Sequence, residues 1–209
     1  VRINRGIELI KNNEIHLGNR TDVLYNCMVE HPDNGGVIDI NELLKNKVKW
    51  ICTVPHSSFD GSKIYPFVHP KANLIKLIKL NLKFNFHICD SKLLKNLNKN
   101  LSCRANTGFA AIFDLLQHDL KELYITGFSF YLDSFLKGYK KGCNRDEENF
   151  SLDCFKSVRH NQQEQWQYLK ESKNNRKLNF DPVLSEILEM DTLDRNLFNP
   201  LIEKLKRKI

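Results

Sequence analysis

The sequence lacks most of the short motifs that identify common catalytic classes. It contains no Gly-x-x-x-x-Gly-Lys-Ser/Thr loop and no Gly-x-Gly-x-x-Gly turn, so neither a P-loop NTPase nor a dinucleotide-binding fold is indicated. A Gly-x-Ser-x-Gly nucleophile elbow is also missing. No Asp-x-Asp occurs to bind a nucleotide sugar through a divalent ion, so we expect no metal and no cofactor. A bound phosphate would be held by backbone and side-chain donors.

The six cysteines form neither a Cys-x-x-Cys pair nor the Cys/His spacing of a zinc finger. Cys27, Cys52 and Cys89 lie in apolar runs, where a free cysteine is usually a small buried hydrophobe. This pattern favours a reduced, cytoplasmic protein.

Long apolar runs are missing too, since no stretch approaches the ~20 residues needed to cross a bilayer. No signal peptide is visible. The chain starts at Val1 within a motif-like run, so we expect the native N-terminus to be missing. Golgi-type targeting therefore stays open.

Basic residues outnumber acidic ones, which gives the chain a net charge of +7 and a pI near 9.0. Such a balance suits a polyanionic partner: a nucleotide, a nucleic acid or an anionic membrane surface. The excess can also reflect coding bias, because Lys, Asn and Ile are abundant together and the lysines can lie on solvated faces. We expect no nucleic-acid partner, and we expect at most peripheral membrane contact through the basic surface.

Strand-like and helix-like patterns alternate along the 209 residues, a length that suits one α/β domain. Their spacing indicates βαβ units with a mostly parallel central sheet flanked by helices, in a single domain over residues 1–209. The polar segment 138–151 is predicted to be a mobile loop or lid. The predicted strands are 22–28, 49–55, 84–90 and 123–126, and the predicted helices include 40–48, 69–82, 91–101, 162–174 and 197–209.

A further helix is predicted at the start of the segment NTGFAAIFDLLQHDLKELYITGFSFY, residues 106–131. Asn106 and Thr107 are residue types that cap helices by accepting hydrogen bonds from free backbone N–H groups. Gly108 lets the backbone approach a ligand closely. The first turn of this helix could therefore hold a phosphate, although a capped core helix is the better interpretation of any single capped helix.

The same segment continues into LYIT, which is apolar and β-rich and predicts a buried strand. Gly127 and Phe128 follow directly beyond its carboxyl end. Open α/β sheets bind their ligands at that end of the strands.

One histidine has a context that suits general base catalysis. His160 lies in VRHNQQEQW, and Glu164 follows four residues later, the spacing of one helical face. A carboxylate there could orient the imidazole as a general base. The alternative is a plain histidine at a helix N-terminus with a solvated glutamate, and spacing alone favours it.

These segments together resemble the sialyltransferases of glycosyltransferase family 29. In that family's small motif a Pro-Ser-Thr-Gly turn opens a helix and the next strand ends in Gly-Phe, which is similar to 105–108 and 127–128 here. His160 with Glu164 resembles the family's very small motif. VRINRG and LGNRTDVLY resemble the end of the large motif, and the matching residues are Arg2, Asn4, Gly18, Arg20 and Thr21.

The chain departs from the family pattern at several points. Asn106 replaces the usual Ser, and three residues rather than four separate His160 from Glu164. No His-Tyr pair marks the third motif, and the segment that opens the large motif would lie before Val1. The small-motif helix lacks the cysteine of animal members, which agrees with a bacterial- or viral-type member.

The resemblance implies a single Rossmann-like α/β domain, a GT-A variant, that transfers sialic acid from CMP-sialic acid to a glycan hydroxyl with inversion and without metal. It implies that His160 is the general base, with Glu164 beside it. The alternatives are a transferase for another CMP-sugar such as Kdo and a non-catalytic basic module that binds nucleotide or nucleic acid. The residues expected to bind the donor are Asn4, Asn106, Thr107, Gly108, Gly127 and Phe128, and Arg2, Gly18, Arg20 and Thr21 are expected to be structural.

Overall fold

A computed structural model describes residues 1–7, 18–28, 38–54, 74–133 and 146–206. These residues divide into two compact units. The first comprises the described parts of Val1–Asn96 together with Asn106–Ala111, and the second comprises Leu97–Ala105, 112–133 and 146–206.

The first unit is built on a sheet of four parallel strands flanked by helices. The strands are β1 (Arg2–Ile3), β2 (Val23–Asn26), β3 (Trp50–Thr53) and β4 (Asn85–Ile88), and the helices are α1 (Ile40–Lys45), α2 (Leu74–Lys83) and α3 (Ser91–Asn100). The strand order is β1-β2-β3-β4, and Leu24 lies opposite Ile51, which lies opposite Phe86. Each strand is thus paired with the next one along the chain.

Apolar side chains of the strands and crossover helices form one core in this unit. Leu24 and Ile51 of the sheet are buried together with Leu43 of α1 and Leu80 of α2. Helix α1 begins where the Asp39 carboxylate accepts a hydrogen bond from the Asn41 N–H at 2.8 Å. The helix and the sheet both have an apolar side, and packing these sides together is what stabilises a βαβ unit.

The second unit contains a smaller sheet of two parallel strands, β5 (Leu123–Ile125) and β6 (Leu178–Phe180). Trp166 is 1% exposed, and its indole N–H donates to the Ile187 carbonyl at 2.9 Å. The helices that follow α3 in the chain are α4 (Thr107–Leu115), α5 (Glu147–Phe155), α6 (Gln162–Glu171), α7 (Pro182–Glu189) and α8 (Phe198–Lys206).

The predicted α/β class and the parallel sheet are confirmed in the described part of the chain. Each predicted strand lies where the pattern placed it, within a few residues. However, β5 pairs with β6 rather than extending the four-stranded sheet. That the whole chain forms one domain stays a prediction.

Three predicted elements differ from the structure or extend beyond what it describes. The predicted loop 138–151 is wrong for its last residues, because Asp146 caps α5 and accepts a hydrogen bond from the Asn149 N–H at 3.1 Å. Residues 138–145 of that loop, 69–73 of one predicted helix and 207–209 of the last lie outside the described residues.

The sequence patterns missed β6 and α7. Asp181 and Pro182 are a typical cap and first residue of a helix, and they do begin α7. Among the described helices, none is long and apolar enough to cross a membrane.

Candidate functional site

The first turn of α4 has the form that anion binding requires. The Phe109 N–H donates to Asn106 Oδ1 at 2.8 Å, which confirms Asn106 as the cap of this helix. The backbone N–H groups of Thr107 and Gly108 have no hydrogen-bond acceptor among the described residues. Two free N–H donors therefore stand at the end of the helix where its dipole favours negative charge.

Three of the four residues predicted to be structural meet in the first unit. The Arg2 guanidinium donates to Thr21 Oγ1 at 3.2 Å and to the Gly18 carbonyl at 3.1 Å. Thr21 is buried, and Gly18 has a φ of 68°, in the left-handed region that favours glycine. Arg2 therefore fixes the segment that leads into β2.

The fourth residue, Arg20, does not join them. Its Nε lies 2.5 Å from Asp22 Oδ2, and its side chain is largely exposed. Lys49 reaches the same carboxylate at 2.9 Å, and hydrogen bonds from Arg20 and Lys49 lower the pKa of Asp22 to about 2. This is a solvated ion cluster at the start of the sheet.

Asn4 lies directly after β1, at the carboxyl end of the parallel sheet, which is where open α/β sheets bind their ligands. Its predicted contact with the donor stays a prediction. Its φ of 48° is in the left-handed region, which asparagine tolerates better than most residues. Its Oδ1 accepts a hydrogen bond from the Cys27 N–H at 3.3 Å. The other end of the side-chain amide, Asn4 Nδ2, has no partner among the described residues, so it can donate to a ligand.

In the second unit, the imidazole of His160 is held by a backbone carbonyl. Its Nδ1 lies 2.8 Å from the Arg104 oxygen. A carbonyl only accepts hydrogen bonds, so Nδ1 carries the proton and Nε2 of the neutral ring carries the lone pair. Burial, together with the Arg104 and Arg159 charges, lowers the pKa of His160 to about 4, although the Arg104 hydrogen bond opposes this. The ring is therefore neutral at pH 7, with one nitrogen able to accept a proton.

The backbone around His160 is held by contacts with residues 103–104. The Arg104 N–H donates to the Arg159 carbonyl at 3.1 Å, and the Cys103 thiol lies 3.9 Å from the Asn161 oxygen. Burial raises the pKa of the Cys103 thiol, and the charge of Glu164 raises it further. Cys103 thus stays protonated, and its contacts are those of a packing residue.

The helical spacing on which the pairing of His160 with Glu164 rested does not exist. Helix α6 begins at Gln162, and Asn161 caps it by accepting from the Gln163 N–H at 3.0 Å and the Glu164 N–H at 3.3 Å. His160 lies ahead of the helix, so a four-residue interval does not place it on one face with Glu164. Glu164 is exposed, and the ring of His160 bonds to Arg104 instead.

Gly127 and Phe128 follow β5 as predicted, but their contacts are internal. Gly127 has a φ of 67°, and its N–H donates to Asp181 Oδ2 at 2.9 Å. The Phe128 ring packs edge-on against Phe130 with centroids 5.0 Å apart. The Gly127 amide is therefore engaged within the fold, and the donor-binding roles of both residues stay predictions.

Sequence reasoning missed two groups that hold His160: the Arg104 carbonyl, which bonds to its ring, and the Gln162 side chain, which donates to its backbone carbonyl. No sequence signal could single out Arg104, because every residue has a carbonyl. Comparison of the chain with protein-family models, with curated proteins and with solved structures finds no match. The chemistry thus rests on two groups of residues, each described within its own unit. The first unit has N–H donors without a described partner at the start of α4, and the second unit has one neutral, partly buried imidazole.

Proposed function

We propose that this chain is an inverting glycosyltransferase that moves sialic acid from CMP-sialic acid to a glycan hydroxyl. The observation that carries the proposal is the state of His160, whose Nδ1 is bonded to a carbonyl while Nε2 has the lone pair. That is the arrangement of a general base ready to take a proton. As the resemblance implies, we propose a single Rossmann-like domain of the GT-A variant type.

In the proposed reaction the acceptor hydroxyl attacks the anomeric carbon of the donor and loses its proton to His160 Nε2. The bond from that carbon to the phosphate oxygen breaks, and CMP leaves with the electron pair. A pKa of about 4 makes the resting imidazole a weak base. The attacking hydroxyl becomes acidic as its bond forms. Burial is the main cause of the low pKa, and the negative charges of a bound donor would oppose the smaller contribution of the Arg104 and Arg159 charges.

The donor phosphate would bind at the first turn of α4. Charge develops on the phosphate as CMP leaves, and the free amides of Thr107 and Gly108 with the helix dipole would stabilise it. The Asn4 amide nitrogen would donate to phosphate or sugar. The sequence offers no Asp-x-Asp, so we propose transfer without metal.

The test is release of CMP from CMP-sialic acid in the presence of lactose as acceptor. A positioned base contributes typically ~10²–10⁴-fold, so His160→Asn should lower kcat by that range. Asparagine is the informative replacement, because its side-chain NH₂ can keep the bond to the Arg104 carbonyl while Nε2 is lost. CMP binding, measured by calorimetry, should be unchanged.

A matched control is His118→Asn, which changes an exposed histidine on another segment and should leave kcat unchanged. Equal losses of CMP affinity and turnover in His160→Asn would contradict the base role. Faster turnover with CMP-Kdo than with CMP-sialic acid would favour the other donor. No CMP release from either donor would exclude the transferase.

A further inference from the structure

Gln162, the first residue of α6, holds the backbone of His160. Its side-chain Nε2 donates to the His160 carbonyl, and the residue is 1% exposed. Its Oε1 is a buried oxygen with no hydrogen-bond partner, and no other buried side-chain atom of the described residues is in that state. The amide cannot be turned around to pair Oε1, because two oxygens would then face each other.

This arrangement costs stability, since a buried acceptor without a donor forfeits its hydration. A methionine of similar length would fill the same space without an unpaired oxygen. Gln165, on the same helix, shows the contrast. It is fully buried, its Nε2 donates to the Asn161 carbonyl at 3.2 Å, and it has no unpaired side-chain atom. Packing alone thus does not explain why a glutamine with an unpaired buried oxygen occupies position 162.

We propose that Gln162 is a positioning residue that braces the His160 backbone so that the imidazole stays against the Arg104 carbonyl. This inference rests on the proposed function of His160 as the base. Two other contacts hold residues 159–160 in addition to the Gln162 bond. The ring of His160 bonds to the Arg104 carbonyl, and the Arg104 N–H donates to the Arg159 carbonyl. A misplacement of a catalytic group by ~1 Å can lower the rate ~10²-fold. A contact that fixes the backbone carbonyl of His160 would therefore keep the reaction rate high.

The first experiment needs no enzymatic activity. The imidazole signals of wild type, Gln162→Met and Gln165→Met are followed by NMR as a function of pH, with His160 assigned by its loss in His160→Asn. Burial is the main cause of the low pKa of His160, and Arg104 and Arg159 are the charges that add to it. Without the brace the ring gains access to water, so its pKa in Gln162→Met should rise from about 4 toward 6.5. The control Gln165→Met should titrate like wild type.

The second experiment measures CMP release. Gln162→Met should lower kcat ~10–100-fold with the donor KM within ~2-fold, because the base is displaced while donor binding is untouched. Gln165→Met should keep both constants. We expect the Tm of Gln162→Met to stay within ~4 °C of wild type, because this variant loses one hydrogen bond and also loses the unpaired oxygen. Gln165→Met should lower the Tm more, because both ends of the buried Gln165 amide are paired.

The two experiments separate the two ideas. If wild type releases no CMP, the transferase is excluded, and the NMR titration still decides whether Gln162 positions His160. If wild type is active and Gln162→Met keeps both the His160 pKa and kcat, the positioning role is overturned. Gln162→Leu is the second variant, and unfolding of both would make Gln162 a structural residue and overturn the proposal as well.

Discussion

Between pH 6.5 and about 4, His160 should lower the free energy of unfolding of the wild-type protein. Replacing His160 with asparagine should abolish this contribution. Folding lowers the pKa of this histidine from 6.5 to about 4, chiefly through burial. As the pH falls through this window, the unfolded chain takes up a proton at residue 160 that the folded chain does not. The free energy of unfolding therefore decreases with falling pH, and the decrease from this residue ends near pH 4.

The size of the effect follows from the interval between the two pKa values. One pH unit corresponds to about 1.4 kcal/mol. The interval from 6.5 to about 4 thus amounts to about 3 kcal/mol, a substantial part of the 5–15 kcal/mol that domains typically have. The Asp22 carboxyl titrates at lower pH than this window, because its pKa is lowered from 3.8 to about 2 by hydrogen bonds from Arg20 and Lys49.

The assay is urea unfolding of wild type and His160→Asn at a series of pH values from 7.5 to 4. The difference between the two proteins is the useful quantity, because the remaining histidines and carboxylates contribute equally to both. That difference should be constant above pH 6.5 and should shift by about 3 kcal/mol in favour of the asparagine variant by pH 4. A difference that is flat across this range would mean that the ring is solvated, and both the burial and the tautomer argument would fail.

Three further substitutions test separate parts of the structure. Asn106→Asp keeps a capping oxygen for the Phe109 N–H and adds a charge favourable to the helix dipole, so the free energy of unfolding should be unchanged or up to ~1 kcal/mol higher. The same negative charge would repel the phosphate, so CMP affinity should fall. Unchanged affinity would show that phosphate binds elsewhere. Gly127→Ala should destabilise by ~1–2 kcal/mol in urea unfolding, because an added Cβ meets nothing within 4 Å and only the φ of 67° is unfavourable. Gly18→Ala, with a φ of 68° and equally open surroundings, should cost about the same, and a much larger loss at either position would reveal a contact that conformation alone does not explain.

The local features of the fold were predictable because they depend on neighbours in the sequence. Asn106 caps α4 because its side chain reaches an amide three residues ahead, and a sequence pattern contains that information. The parallel sheet followed from apolar runs separated by helical ones. The pairing of β5 with β6 was not predictable, since Leu178–Phe180 is too short to show a periodic pattern.

The surroundings of His160 show where sequence reasoning ends. The predicted helix began at residue 162, so its own boundary placed His160 outside the helical spacing that was used to join it to Glu164. The true partner of the ring is a backbone oxygen 56 residues earlier in the chain. Side-chain types do not encode such a contact, because it depends on how two distant segments pack. The tautomer of the imidazole, and with it the identity of the basic nitrogen, therefore comes from tertiary structure alone.

The carboxylate of Asp181 divides its two oxygens between two backbone amides. Oδ1 accepts from the Leu184 N–H at 2.7 Å and Oδ2 from the Gly127 N–H at 2.9 Å. An asparagine at this position would have one acceptor oxygen, so it could serve the helix start or the turn but not both. At Asp39, in contrast, a single oxygen receives both amides, and asparagine would suffice there. Two helix caps that look interchangeable in the sequence thus differ in which replacements they tolerate.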